Sequence, residues 1–228
     1  MTAGTLHYHP LSSYCQKVLI AVDVLAIDVE KRLLNLGDPA ERGAHLARWP
    51  IGKMPLLVEK GRAIPETSII IEYLQQHHAL AGRSLIPSDE ASLEVRLWDR
   101  VFDQYVMTPM QAFTADLLRP ESERDPINVE QARMTLLSAY EAIDAQLENR
   151  SWIASDGFSM ADCAAAPALF YAVTYVSIPI HHARLHAYFD RLMNHPSVAL
   201  TIDEARPYFK FYPGRAGLSR RFFDPATT

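Results

Sequence analysis

The chain has 228 residues, of which 49% are hydrophobic and 21% charged, with a formal net charge of −5. That composition is ordinary for a globular protein, leaves room for one large domain or two small ones, and carries no cationic field that would attract nucleic acid. The opening residues reach Pro10 before any apolar run, and no stretch approaches the roughly 18 apolar residues of a membrane span, so neither signal peptide nor membrane partner is expected. Two cysteines, Cys15 and Cys163, are too few for a disulfide framework or a four-thiolate zinc site. A reducing, cytoplasmic setting fits.

The N-terminal third alternates strand and helix signals. Leu6 and Tyr8 alternate with His7 and His9 in a first strand that Pro10 ends. Ser12 and Ser13 offer N-caps for a helix carrying Val18, Leu19, Val22 and Leu25. Ile27 to Leu34 reads as a second strand, and Asp38-Pro39 as the cap and first position of a short helix that Trp49-Pro50 stops. Met54 to Val58 forms a third strand, turned by Lys60-Gly61 into a fourth at Arg62 to Ile64. After Pro65, Thr67 is expected to cap a helix through Ile70, Ile71 and Leu74.

Beyond Gly82 the strand patterns cease. Leu93, Leu97, Val101 and Tyr105 recur every four residues in a long helix running toward Leu118. Asn128 to Glu148 forms another helix, and Ser159 to Asp162 reads as a capping box opening a third through Ala164 to Leu169, with Pro167 inside it. Helices at about His182 to Met193 and Pro196 to Ala205 follow, then an aromatic tail with Tyr208, Phe209, Phe211, Tyr212, Phe222 and Phe223. The expected fold class is therefore α+β, with a βαβ-ββα domain at residues 1–80 and an all-α domain at 88–228.

Four local signatures stand in fixed order: Ser12-Ser13-Tyr14-Cys15, Gly52-Lys53-Met54-Pro55, Pro65-Glu66-Thr67, and Ser159 to Asp162. In that order they resemble the cytosolic glutathione transferases, of the bacterial type with a serine in the active site, over nearly the whole chain. The resemblance implies a thioredoxin-like N-terminal domain that binds glutathione and a helical domain that supplies a second-substrate pocket. It makes Ser12 the catalytic residue and assigns glutathione contacts to Ser12, Lys53, Met54, Pro55, Glu66 and Thr67. Ser12 would meet the sulfur at a helix N-terminus, Lys53 the glycyl carboxylate, and a cis Pro55 would turn the Met54 backbone toward the cysteinyl unit. Glu66 and Thr67 would hold the ammonium and carboxylate of the γ-glutamyl group. Relatives carry Asn where this chain has Trp49.

The resemblance also implies a homodimer and a small hydrophobic electrophile as acceptor, with Tyr105 and Met107 as candidates for its pocket. Two alternatives stay open: a glutathione-dependent reductase or isomerase working through Cys15, and a non-catalytic interaction module on the same fold. No metal is expected, because adjacent His77-His78 and His181-His182 point to different sides of a helix and the His182/His186 pair has no local acidic third ligand.

Overall fold

The computed structural model describes residues 2–223, so residues 224–228 of the expected helical unit lie outside the described residues. Its N-terminal part is a four-stranded sheet in the order β2-β1-β3-β4, built from β1 (Thr5–Tyr8), β2 (Glu30–Leu33), β3 (Leu56–Glu59) and β4 (Arg62–Ile64). β1 runs parallel to β2, with Thr5 opposite Glu30, and antiparallel to β3, with Leu6 opposite Leu57. β3 and β4 form a hairpin whose two-residue loop, Lys60-Gly61, has φ of 49° and 79°. Positive φ at both positions matches the right-handed strand twist, and Gly61 adopts it without a Cβ penalty.

The second strand is shorter than the aliphatic run implied. Only Glu30–Leu33 pairs, and all four residues are exposed, while Ile27, Val29 and Leu34 at its flanks are buried. Helices α1 (Ser13–Val24), α2 (Pro39–Arg48) and α3 (Thr67–His78) complete this part. Asp38 caps α2 by accepting from the N–H groups of Ala40 and Glu41, with Pro39 at the first position.

From residue 91 the chain is helical: α4 (Ala91–Val101), a π-helical stretch at Phe102–Met107, α5 (Thr108–Leu118), α6 (Pro126–Gln146), α7 (Met160–Ala172), α8 (Ala183–Met193), α9 (Pro196–Ala205) and a short α10 (Arg220–Phe223). None is long and apolar enough to cross a membrane among the described residues. α7 is buried along its whole length and opens with the capping box: Asp162 accepts from the Ser159 N–H at 2.8 Å, and also from the Tyr188 hydroxyl at 2.6 Å. α1 packs on α3 within the sheet part and on α7 and α9 across the boundary, so one core runs through both parts. Gln16 of α1 crosses that boundary, donating to the Pro10 carbonyl at 2.8 Å and to Tyr171 of α7 at 2.9 Å.

The four-residue stripe of the long helix faces outward. Leu93, Leu97 and Tyr105 are 75%, 52% and 52% exposed, whereas Val95, Trp98, Phe102 and Val106 pack inward. Steps of four advance 400° per repeat and drift around an α-helix, so a stripe that stays on one face must mix steps of three and four. The aromatic tail packs against the helical part. Phe209 and Phe222 sit on Phe170 with ring centres 5.7 and 5.1 Å apart, and the Tyr212 hydroxyl lies 2.8 Å from that of Thr174.

Candidate active site

Ser12 occupies the turn between β1 and α1. Its backbone is extended, and its hydroxyl accepts from the Cys15 N–H at 3.3 Å, which makes it the N-cap and leaves Ser13 as the first helical residue. The opening N–H groups of a helix have no partner within the helix, and the macrodipole places partial positive charge there, so this corner favours an anion.

The same corner forms part of a cavity of about 620 Å³ whose wall contains Ser12, Lys53, Met54, Pro55, Glu66 and Thr67. Three segments far apart in sequence thus meet on one cavity wall. The Met54-Pro55 peptide bond is cis. His45, buried on α2, sets its Nε2 3.0 Å from the Lys53 carbonyl and so donates to it, tying α2 to the loop that carries Lys53 and Met54.

Thr67 does not cap α3. Glu66 takes the N-cap position at φ 69°, without a side-chain cap hydrogen bond, and Thr67 becomes the first helical residue with its side chain on the cavity wall. A non-glycine residue in the left-handed region costs roughly 1 kcal/mol or more and persists where surrounding structure holds it. Here Glu66 and Thr67 stand next to each other on the cavity wall.

Behind Thr67 lies a buried charge cluster that sequence reasoning missed. Lys17 of α1 is wholly buried; its Nζ meets Asp103 Oδ2 at 2.8 Å, Ser68 Oγ at 3.2 Å and Asp99 Oδ1 at 2.6 Å, the last an ion contact off hydrogen-bond direction. Ser68 donates to Asp99 Oδ2 at 2.6 Å and accepts from Arg100 at 2.6 Å. Asp103 and Arg100 reach the cavity wall, so the cluster joins α1, α3 and α4 directly beneath it. Burial raises the Asp103 carboxyl above its ordinary range, against the opposing attraction of Lys17.

Cys15, three residues beyond Ser12, is fully buried. Burial pushes its thiol up to about 12, against the opposing hydrogen bonds from the Ser12 hydroxyl and the His9 N–H. It is therefore a neutral thiol at physiological pH. Cys163 is equally buried in α7, and its thiol too is raised by burial.

A second cavity of about 340 Å³ adjoins the first, walled by Leu11, Ser12 and Ser13, by Met110, Gln111, Thr114, Ala115 and Leu118 of α5, and by Tyr171, Tyr212 and Pro213. The candidates Tyr105 and Met107 line neither cavity. Met107 is fully buried in the core and Tyr105 points outward. Along this rod the cavity-facing residues are Arg100, Asp103, Gln104, Thr108 and Gln111, steps of three and four that keep to one face. Trp49, the departure from the resembling pattern, and Tyr14, inside the first signature, also stand on the wall of the larger cavity. Among the described residues, no three His, Cys, Asp or Glu side chains gather to hold a metal ion.

Known proteins resemble this chain over both its sheet part and its helical part. Residues 6–83 match the family model of the glutathione S-transferase N-terminal domain, and residues 105–196 that of the C-terminal domain. Glutathione S-transferase 3 of Zea mays is 26% identical over 170 residues, covering 72% of this chain and 77% of its own. Glutathione S-transferase A of Pleuronectes platessa is 23% identical over 207 residues, covering 85% and 88%. The crystal structure of a glutathione S-transferase from Methylobacillus flagellatus with glutathione bound superposes with a TM-score of 0.77 at 28% identity, covering 86% of this chain and 98% of its own. With both domain models matched in order on a thioredoxin-like sheet and a helical bundle, the chain belongs to the glutathione S-transferase superfamily of enzymes.

Proposed function

We propose that the protein conjugates glutathione to a small hydrophobic electrophile, with Ser12 stabilising the glutathione thiolate. The observation that carries this reading is that Ser12 stands on the walls of both cavities, one large enough for a tripeptide and bearing Lys53, Glu66, Arg100 and Asp103, the other lined among the described residues by no charged side chain. A free thiol titrates near 8.5, so lowering its pKa by about two units requires roughly 2.7 kcal/mol of selective stabilisation. A hydroxyl hydrogen bond to the anion contributes about 1.5–3 kcal/mol and the α1 N-terminus about 0.3–1 kcal/mol. Together they reach that figure.

In this reading the N-terminal domain, residues 1–80, binds glutathione as an added extended strand against the Met54 backbone. Lys53 meets the glycyl carboxylate, the Thr67 hydroxyl the γ-glutamyl carboxylate, and Glu66 its ammonium. Binding fixes the sulfur at the mouth of the second cavity in the helical domain, residues 88–228, so that thiolate and acceptor meet at effectively high concentration. The buried neutral Cys15 favours conjugation over a mixed-disulfide reductase. The exposed apolar stripe Leu93, Leu97 and Tyr105 supports a homodimer closed through α4, and two free buried cysteines fit a cytoplasmic protein.

The test is calorimetric titration with glutathione together with ultraviolet detection of its thiolate on the protein at neutral pH. Binding accompanied by a thiolate band supports the reading. Binding without the band removes Ser12 from its role, and no binding leaves only the interaction-module alternative.

A further inference from the structure

His45 holds both ends of the loop between α2 and β3. Its backbone carbonyl accepts from the Trp49 N–H at 2.9 Å, where the helix stops, and its ring Nε2 donates to the Lys53 carbonyl at 3.0 Å. Between those points the chain turns at Gly52, which stands at φ 71° and donates to the Trp49 carbonyl at 2.9 Å. His45 itself is only 1% exposed.

A carbonyl oxygen only accepts, so Nε2 carries the proton and Nδ1 is left as an acceptor. That Nδ1 is buried, with no hydrogen-bond partner among the described residues. An apolar side chain of similar size would fill the place without stranding such an atom, so what the imidazole adds there is its one N–H donor. The peptide that receives this donor joins Lys53 to Met54 and is trans; the cis bond is the next one, Met54-Pro55. The C=O and N–H of a trans peptide point in opposite directions. With the Lys53 C=O turned toward α2, the Met54 N–H faces the other way, on a residue of the larger cavity's wall. No group among the described residues accepts from that N–H.

We infer that His45 is a positioning residue for glutathione: by clamping the Lys53 carbonyl it aims the Met54 N–H at the carbonyl oxygen of the cysteinyl unit. The inference rests on the glutathione reading above. Gly52 lies just ahead of this peptide and tolerates many backbone conformations, so without the clamp the peptide plane is free to turn. Each binding event would then have to order the donor again, and affinity would fall. His45 acts from behind the wall, without touching the tripeptide.

The experiment measures glutathione affinity by calorimetry in wild type, His45→Leu and His45→Gln, together with hydrogen exchange of the Met54 amide followed by nuclear magnetic resonance. Gln offers an amide N–H at a reach similar to that of Nε2, and Leu offers none. The dissociation constant is expected to rise about tenfold or more in His45→Leu and to stay near wild type in His45→Gln, in line with the loss and rescue of one hydrogen bond. Glutathione should slow exchange of the Met54 amide in wild type and His45→Gln but not in His45→Leu. If His45→Leu does not fold, His45→Asn takes its place, because its shorter amide reaches only as far as Nδ1. Equal affinity in all variants, or a loss in His45→Gln as large as in His45→Leu, overturns the inference. Glutathione that binds the wild type without slowing Met54 exchange also overturns it, while sparing the glutathione site. Absence of binding by the wild type overturns the glutathione reading, and the inference with it.

Discussion

The Lys17 ammonium meets the Asp99 carboxylate at 2.6 Å, with side chains 0% and 1% exposed, in the seam between the sheet and the helical bundle. Breaking a buried pair by removing one partner typically costs about 3–5 kcal/mol, because the remaining charge is stranded without water. Lys17→Met leaves two buried carboxylates, Asp99 and Asp103, to share the half-exposed Arg100 at 3.5 and 3.4 Å. We expect it to lower unfolding stability by at least that amount, read as the midpoint of urea denaturation, with Asp99→Asn costing less because Asp103 still partners the lysine. Equal, small losses in both variants would show that the cluster is not a determinant of stability.

Ser12→Ala removes the hydroxyl expected to face the sulfur. A loss of about 1.5–3 kcal/mol of anion stabilisation corresponds to a fall of roughly 10- to 100-fold in kcat/KM at neutral pH. The deficit should shrink as pH rises, since at high pH the thiol ionises unaided. A pH-independent deficit would point to loss of the α1 cap instead.

Thr67→Val keeps the shape of the side chain and deletes the hydroxyl. Because Glu66, not Thr67, is the N-cap of α3, the variant should leave thermal stability within about 0.5 kcal/mol of wild type. Glutathione affinity should fall by about tenfold or more, measured by calorimetry. Parallel loss of stability would mean that the threonine serves the helix.

Cys15 gives a prediction with a definite sign. Its thiol is raised from 9.0 to about 12 in the folded protein, so the stabilisation from burying the neutral form is complete below pH 9 and disappears as pH climbs toward 12. Native protein at pH 8 should therefore leave Cys15 and Cys163 unreacted with a chromogenic disulfide reagent. Both should react once the chain is denatured. Rapid labelling of Cys15 in the native state would revive the reductase alternative.

The tail is held at Gly217, where an added Cβ would lie 2.1 Å from the Thr174 carbonyl oxygen. Gly217→Ala must push the segment carrying Tyr212 and Pro213 away from Thr174, just beyond the end of α7, at about 1–3 kcal/mol. Acceptor KM should change while the dissociation constant of glutathione does not. Matched changes in both would place the tail's influence on the fold as a whole.

Leu93 and Leu97 supply the last prediction. The wild-type chain should have the mass of a dimer by light scattering, and the double variant Leu93→Glu, Leu97→Glu that of a monomer. A monomeric wild type would leave the stripe without an explanation in self-association.

Much of this was legible in the residues because local chemistry determined it. Lys60-Gly61 specifies its turn through positive φ, Asp38-Pro39 specifies a helix start, Ser12 caps the first helix, and Pro55 stands directly before a strand. The cluster of Lys17, Ser68, Asp99 and Asp103 was not legible, since each residue alone reads as a solvated polar position on an amphipathic helix. Nor was the acceptor cavity. The long helix bears two apolar stripes, Leu93-Leu97-Tyr105 and Val95-Trp98-Phe102-Val106, and hydrophobicity alone does not say which one meets the core. The cavity face runs through Arg100, Gln104, Thr108 and Gln111, and neither Tyr105 nor Met107 lies on it.

That stretch at Phe102–Met107 works like a clutch between two shafts. A π turn closes on one residue more than an α turn, so deleting one residue there would restore regular winding while the residues downstream kept the faces they now present. The same deletion in a regular turn would rotate everything after it by about 100°. The stretch can therefore lose a residue without turning Gln111 off the cavity wall or Leu93 and Leu97 off the surface.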